Sequence, residues 1–172
     1  MRIIAGSRRG HRIDAPKGLA TRPTSDRVRE NAFNLIGPVD AANVLDLFAG
    51  SGAMGLEALS RGAARAVFVE SSRDACRQID ANLEKLGLPG TVLCQDARRA
   101  LAAERETYDL VLCDPPYEDE PSAELAPHLA RVLAPNGLLV YETAARVEPA
   151  VDGLNVRTSR RYGSARLTLF ER

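Results

Sequence analysis

The chain lacks the features that would carry it into a membrane or along a secretory route. Nowhere in its 172 residues does an apolar run approach the roughly 18 that a membrane-spanning helix needs, so no membrane partner is expected. The opening "MRIIAGSRRG" holds only Ile3, Ile4 and Ala5 before glycine and arginines, too little for the apolar centre of a signal peptide. Cysteine is scarce: Cys76, Cys94 and Cys113 are odd in number, far apart and without a C-x-x-C pair. That argues against a disulfide framework or a metal site, fits a reducing cytoplasm, and predicts three small buried residues. Histidine is scarcer still. His11 falls in a basic stretch and His128 in a helical one, where a surface role is expected of each.

Net charge is also missing, but only as a sum. Residues 1–30 carry eight basic side chains against three acids, and residues 155–172 carry five arginines against Glu171. The stretch between holds ten basic and nineteen acidic residues. Two basic ends on an acidic body point to a polyanion-binding face that the overall pI of about 6.7 conceals.

What is present reads as one domain, long enough to bury roughly 70% of the surface its unfolded chain exposes. "RIIAG" and "HRIDAP" predict the strands of a hairpin, with "SRRG" as its turn. A helix follows, with a cap among Thr24, Ser25 and Asp26, with Val28, Ala32, Leu35 and Ile36 at helical spacing, and with Gly37-Pro38 as its stop. From Asn43 onward strands and helices alternate: "NVLDLFA", "SGAMGLEALSRG", "ARAVFVE", "SSRDACRQIDANLEKLG", "TVLCQ", "DARRALAAE", "YDLVLC", "SAELAPHLARVLAP" and "NGLLVYETA". In the last helix Pro127 looks disruptive. "LNVRTSRRYG" and "SARLTLFER" end the chain as an antiparallel pair. Near-continuous apolar strands separated by helices predict an α/β fold, a doubly wound Rossmann-like sheet covered on both faces. It carries a small basic N-terminal extension, residues 1–24, ahead of the main domain, 25–172.

In such sheets ligands bind beyond the carboxyl ends of the strands, where the strand order reverses. The first strand ends in "DLFAGSGAMG", a G-x-G-x-x-G of Gly50, Gly52 and Gly55, with Asp46 four residues ahead of Gly50. Glycines there permit a sharp turn and close approach of a ligand to a helix amino terminus. Asp46 suits either ligand contact or support of the loop. The second strand ends at Glu70, placed to accept both hydroxyls of a ribose. The third ends at Asp96, which suits an adenine amine, the cap of the next helix, or both.

These three ends fit any adenosine cofactor, and the fourth separates the choices. "LVLCDPPYED" ends an apolar strand with Asp114, Pro115, Pro116 and Tyr117. Each proline restricts the residue before it and offers a carbonyl without an N–H. The stiff turn can present the Asp114 carboxylate and the Pro115 carbonyl as two convergent acceptors, with the Tyr117 ring beside them. Two acceptors and a ring suit a planar base with an exocyclic amine.

"DPPY" taken with "DLFAGSG" resembles the class I S-adenosylmethionine-dependent amino-methyltransferases, whose sheet has seven strands, the last pair antiparallel. "MRIIAGSRRG", "TRPTSDRVRENAFN", "LFAGSGAMGLEALSRGA" and the terminal "YGSARLTLF" resemble more narrowly the RsmD family, in the same order from end to end. That resemblance implies methyl transfer to the N2 amine of one guanine in 16S ribosomal RNA, guanine 966 in the usual numbering, with S-adenosylhomocysteine as product and no metal. The implied partner is the small ribosomal subunit or an assembly intermediate; a cytoplasmic location, from the cysteine usage, and a monomeric state are expected beside it. Asp46, Ala49, Gly50 and Gly52 would frame the methionine part of the cofactor. Glu70 with Ser71 would hold its ribose, and Asp96 with Ala97 its adenine. Asp114, Pro115, Pro116 and Tyr117 would hold the guanine. Arg8, Arg9, Arg12, Lys17, Arg22 and Arg27 would grip RNA, with Arg22, Thr24 and Arg27 bordering the active site.

Three rivals share some of these features. A DNA-adenine or protein-glutamine methyltransferase would use the same "DPPY" but not the N-terminal pattern. A nicotinamide dehydrogenase would use the glycine loop and Glu70, but the chain leaves little room for a substrate domain. A non-catalytic RNA-binding module would account for the basic ends and not for the four strand ends.

Overall fold

The computed structural model describes residues 1–15, 26–116 and 125–172. The elements run α1 (Asp26–Ile36), β1 (Asn43–Leu47), α2 (Ala53–Ser60), β2 (Arg65–Glu70), α3 (Arg73–Leu86), β3 (Gly90–Cys94), α4 (Ala97–Ala103), β4 (Tyr108–Cys113), α5 (Ala126–Val132), β5 (Leu133–Ala144), β6 (Asn155–Tyr162) and β7 (Ala165–Glu171). The strands form one sheet in the order β3-β2-β1-β4-β5-β7-β6. β1 to β5 are parallel, and β7 inserts antiparallel between β5 and β6. Strand order reverses between β1 and β4, which pair directly.

Alternation along each strand feeds two cores. Leu110 and Leu112 face a cluster with Phe33, Leu56, Phe68 and Ile79. Val111 and Cys113 face one with Leu101, Leu129, Tyr141 and Phe170. Coverage of both faces explains why the central strands are apolar throughout rather than at every second position. α3 has clear ends: the Ser72 hydroxyl accepts the Ala75 N–H at 3.4 Å, and Gly87 closes the helix at φ 59°. In α5, Pro127 occupies the first turn, where an N–H would have no helical partner, so it starts the helix rather than disrupting it. β5 begins earlier than the pattern suggests, at Leu133, and shifts register between Tyr108 and Leu110 of its partner.

The N-terminal segment is a closed loop rather than a laddered hairpin. Its one bridge pairs Arg2 with Arg12, and Ile3 exchanges backbone hydrogen bonds with His11 and Gly10 at 2.9 Å. Ile3 and Ile13 are buried in the same core as the sheet, so the segment is packed into the domain. Buried Glu57 of α2 holds it: its carboxylate accepts the Ile4 N–H at 2.8 Å and the Ala5 N–H at 3.0 Å. Glu57 also faces Arg61 at 2.8 Å and fully buried Arg29 at 3.6 Å. Arg29 changes the buried face of α1. The side chains packed inward are Arg29, Ala32, Phe33 and Ile36, while Val28 and Leu35 are only half-buried. Apolar spacing alone could not anticipate an arginine drawn inward by a carboxylate on another helix. Cys76 and Cys113 are buried as expected, but Cys94, last in the outer strand β3, is exposed.

The turn of this segment docks at the far end of the sheet from the ligand edge. Ser7 N–H donates to the Ser60 carbonyl at 2.7 Å, and Arg8 Nε donates to the Leu86 carbonyl at 2.5 Å. Ser60 and Leu86 end α2 and α3, helices that run back toward the amino ends of the strands. Gly6 permits the contact: at φ 82°, a Cβ there would lie 1.8 Å from the Ser60 carbonyl oxygen.

Candidate active site

Three strand ends build a cradle of backbone N–H groups held by carboxylates. After β1 the chain turns at Phe48 (φ 59°), Gly50 (φ 55°) and Gly52 (φ 74°) before α2 begins. A positive φ is costly for phenylalanine, and such strain persists where surrounding contacts over-determine it. Here the Ala49 N–H donates to Val69 O at 3.0 Å and the Gly52 N–H to Ala49 O at 2.7 Å. Two glycines answer different needs. At Gly55 a Cβ would strike the Phe68 ring at 2.3 Å and Asp46 Oδ2 at 2.9 Å, so close packing of α2 requires its absence. At Gly50 a Cβ would meet, among the described residues, only Phe48 O at 3.9 Å, so within them the loop leaves room for a ligand to approach the backbone.

Asp46 is buried beneath the loop and accepts the Gly55 N–H at 2.9 Å. Burial pushes its pKa up to about 7; the Gly55 hydrogen bond opposes this and the Glu70 carboxylate adds to it. Of the two roles open to Asp46 in the sequence, support of the loop is the one visible. Glu70 accepts the Gly50 N–H at 2.8 Å on one oxygen and the Ser72 N–H at 2.8 Å on the other. It therefore ties the first strand end to the second, and Ser71 stands exposed beside it. Asp96 caps α4 by accepting the Arg99 N–H at 3.0 Å, and remains exposed next to buried Ala97.

The fourth strand end is different. Leu47 pairs with Cys113, so Asp114 follows β4 directly beside the turn into the glycine loop. Pro115 is buried and Pro116 exposed, while Tyr117 lies outside the described residues. Asp114 is exposed at the strand end, yet the protein packed around its carboxyl lifts its pKa well above the ordinary range, with Glu142 and then Asp46 adding repulsion. No hydrogen bond to the Asp114 carboxyl is present among the described residues. Glu142 enters because Cys113 pairs with Tyr141 on β5. An acid inside the apolar run "LLVYETA" was its only sequence signal.

These residues suit an adenosine-bearing, cationic cofactor: carboxylate acceptors stand at the second and third strand ends, and an open glycine backbone at the first. No group of three or more metal-ligating side chains occurs among the described residues. No helix of the described residues is long and apolar enough to cross a membrane.

The arginines expected on RNA are dispersed. Arg9, Arg12 and Arg27 are exposed, whereas Arg8 is engaged by the Leu86 carbonyl at the carboxyl end of α3, where a cation is favoured. Lys17, Arg22 and Thr24 lie outside the described residues. A cavity of about 360 Å³ between the N-terminal loop and α1 is lined by Arg2, Arg9 and Arg27 together with the acids Asp26 and Glu30. None of its walls comes from a strand end, so the chemistry is assigned to the strand ends and not to this cavity.

Known proteins agree with this geometry. The family model described as "Conserved hypothetical protein 95" matches residues 1–171. YlbH of Bacillus subtilis, a candidate rRNA methyltransferase, is 39% identical over 100% of this chain and 99% of its own length. Ribosomal RNA small subunit methyltransferase D of Escherichia coli is 40% identical over 88% of this chain and 76% of its own. The solved structure of the methyltransferase candidate yhhF from Escherichia coli superposes with a TM-score of 0.90 at 36% identity, covering 100% and 97% of the two chains. A family match over nearly the whole chain, and a cradle whose strand ends carry the expected groups, lead to one assignment: the chain belongs to the RsmD family of S-adenosylmethionine-dependent methyltransferases.

Proposed function

We propose that this enzyme transfers a methyl group to the exocyclic N2 amine of one particular guanine in 16S ribosomal RNA. It acts as a cytoplasmic monomer on the small subunit or an assembly intermediate. One observation carries the reading: the Leu47–Cys113 pairing sets the Asp114–Pro115 acceptors beside the Gly50 loop. The rRNA substrate is supported by the name of the Escherichia coli relative, and the amine by the paired acceptors.

Asp46, Ala49, Gly50 and Gly52 are proposed to frame the methionine part of the cofactor, Glu70 with Ser71 its ribose, and Asp96 with Ala97 its adenine. The bound cofactor supplies a methyl on a cationic sulfur, already a strong electrophile. The guanine amine is the weak partner, because its lone pair is delocalised into the ring. Asp114 and the Pro115 carbonyl accept its two hydrogens and favour the pyramidal nitrogen of the transition state over the flat ground state. Alignment of nitrogen, carbon and sulfur in one line can contribute roughly 7–11 kcal/mol in favourable systems. As the nitrogen–carbon bond forms, the carbon–sulfur bond would break and leave its electron pair on the sulfur of the S-adenosylhomocysteine product, while the amine becomes cationic and releases a proton. Asp114, whose affinity for protons is already raised, is the proposed acceptor. Pro115 and Pro116 hold the turn stiff, and Tyr117 is the proposed stacking ring for a guanine drawn from its stack. Arg9, Arg12, Lys17, Arg22 and Arg27 are proposed to contact phosphates. Arg8 joins them only if RNA displaces it from Leu86.

The test is transfer of labelled methyl to small subunits that lack this modification, with bare RNA and large subunits as controls. Label mapping to N2 of a single guanine is expected. Label found on adenine, or on protein alone, would overturn the reading.

A further inference from the structure

The basic N-terminal turn docks at the amino-end edge of the sheet, while the amine clamp lies at the carboxyl-end rim. Arginines of the second basic end lie at the rim that the N-terminal turn does not reach. β6 is the outer strand of the sheet on the side of β4 away from the cofactor cradle. It runs parallel to β5 by way of β7, so its carboxyl end, Arg160 to Tyr162, reaches the same rim as Asp114. The register agrees: Tyr162 pairs with Ala165, and Ala165 pairs with Ala144 at the end of β5. Arg146 follows there, because the Ala145 N–H donates to Ser164 O at 2.8 Å in the turn between β6 and β7.

Arg146, Arg157, Arg160 and Arg161 are all exposed, and none pairs with a carboxylate among the described residues. Among the described residues, Arg160 donates to the carbonyl of Ser159, at 3.0 Å. β6 itself, "NVRTSRRY", contains no acid. Arg160 and Arg161 lie on opposite faces of an edge strand, so their guanidinia flank it on both sides. Nearby Arg166 behaves differently: it is buried and held by Glu148 at 3.1 Å and the Ser159 hydroxyl at 2.9 Å. Three strand spacings separate β6 from β4, about 14 Å, a distance a few nucleotides span.

We propose that Arg146, Arg157, Arg160 and Arg161 form a phosphate track along β6 that holds the RNA strand leading into the β4 clamp. The assignment rests on the rRNA reading above and adds a surface to it. The proposed cofactor cradle occupies the rim over β1 to β3, so among the described residues the β5–β7–β6 side is the one left for a strand entering the clamp. Arginines also guard edge strands against pairing with other chains, and any charge, of either sign, serves that purpose. The sign of the charge therefore separates the two roles.

The experiment compares the native enzyme with Arg157→Glu/Arg160→Glu/Arg161→Glu and with the corresponding triple lysine variant. Readouts are KM for small subunits, affinity for bare 16S RNA against salt, and the cofactor Kd. The glutamate variant is expected to keep its cofactor Kd and to raise KM at least about tenfold. Its RNA-binding salt slope should flatten by about two, at roughly 0.7 for each phosphate that is no longer neutralised. The lysine variant should stay near native. Unchanged KM and slope in the glutamate variant overturn the track while leaving the rRNA reading intact. Weaker binding to particles with unchanged affinity for bare RNA also overturns it, because the surface then meets a protein. If the glutamate variant does not fold, single Arg→Gln changes at 157, 160 and 161 carry the same slope test. A native enzyme that methylates no small-subunit RNA removes the reading itself, and the track with it.

Discussion

The two halves of the sheet's carboxyl rim are built in opposite ways. Over β1 to β3 every acid is already bonded to backbone: Asp46 to Gly55, Glu70 to Gly50 and Ser72, and Asp96 to Arg99. At β4 the Asp114 carboxyl has no hydrogen-bond partner among the described residues, and it stands near a second acid, Glu142. The cradle half is organised before any ligand arrives, so little ordering remains to oppose binding. The clamp half holds a carboxylate whose discomfort is relieved by a donor, or a proton, arriving from outside. An amine that becomes acidic as it reacts supplies both. The contrast teaches that the same residue type, placed at successive strand ends, is engaged by backbone on one side and left open on the other, which is the division that the proposed binding and chemical roles require.

Asp114→Ala should break the clamp half alone. Loss of one pre-placed group at a reacting centre costs about 10²–10³ in turnover, and the cofactor Kd should not move. A variant that turns over normally would remove Asp114 from the mechanism. Glu70→Ala should break the cradle half alone. It removes a charged acceptor worth about 1.5–3 kcal/mol, so the cofactor Kd measured by calorimetry should rise about 10- to 100-fold. An unaltered Kd would confine Glu70 to holding the loop.

Asp46 tests the boundary through pH. In the fold it keeps its proton up to about pH 7, and in the unfolded chain only to about 3.8, so the folded state binds the extra proton between these values. Stability accordingly falls as pH rises through that window, by at most about 1.4 kcal/mol per unit, and levels off above it. Asp46→Asn should erase this slope in denaturant titrations at pH 4 to 8, since the amide oxygen can still accept the Gly55 N–H. A slope that survives would mean another group carries it. The smallest effect is expected from Glu142→Gln. With a like charge gone from beside Asp114, the acidic limb of kcat/KM should move to lower pH. A limb that stays in place would show the two carboxyls to be uncoupled.

Much of this was legible in the residues. Apolar runs of five or six bounded by glycine, proline and acids marked the parallel strands, because burial on both faces leaves no room for polar alternation. The strand-end groups Gly50, Glu70, Asp96 and Asp114 could be picked out because a doubly wound sheet delivers every such end to one rim. Glu57 and Arg29 could not be foreseen, since each is held inside partly by groups far along the chain: the Ile4 and Ala5 N–H groups for Glu57, and Glu57 with the Arg2 carbonyl for Arg29. Nor could Glu142, which acquires meaning from the strand beside it.

The sequence by itself determined the order of the strands and helices from Asn43 onward, the burial of the sheet on both faces and which side chains stand at each strand end, because these follow from local pattern and from the handedness of strand–helix–strand units. Only the tertiary structure decided where the two basic ends go. The turn of the N-terminal segment is folded back beneath α2 and α3 by Glu57, Ser60 and Leu86, while insertion of β7 carries Arg160 and Arg161 to the rim that β4 ends on. Charge counts along a chain carry no direction in space; the docking of backbone N–H groups and the pairing of strands supply it.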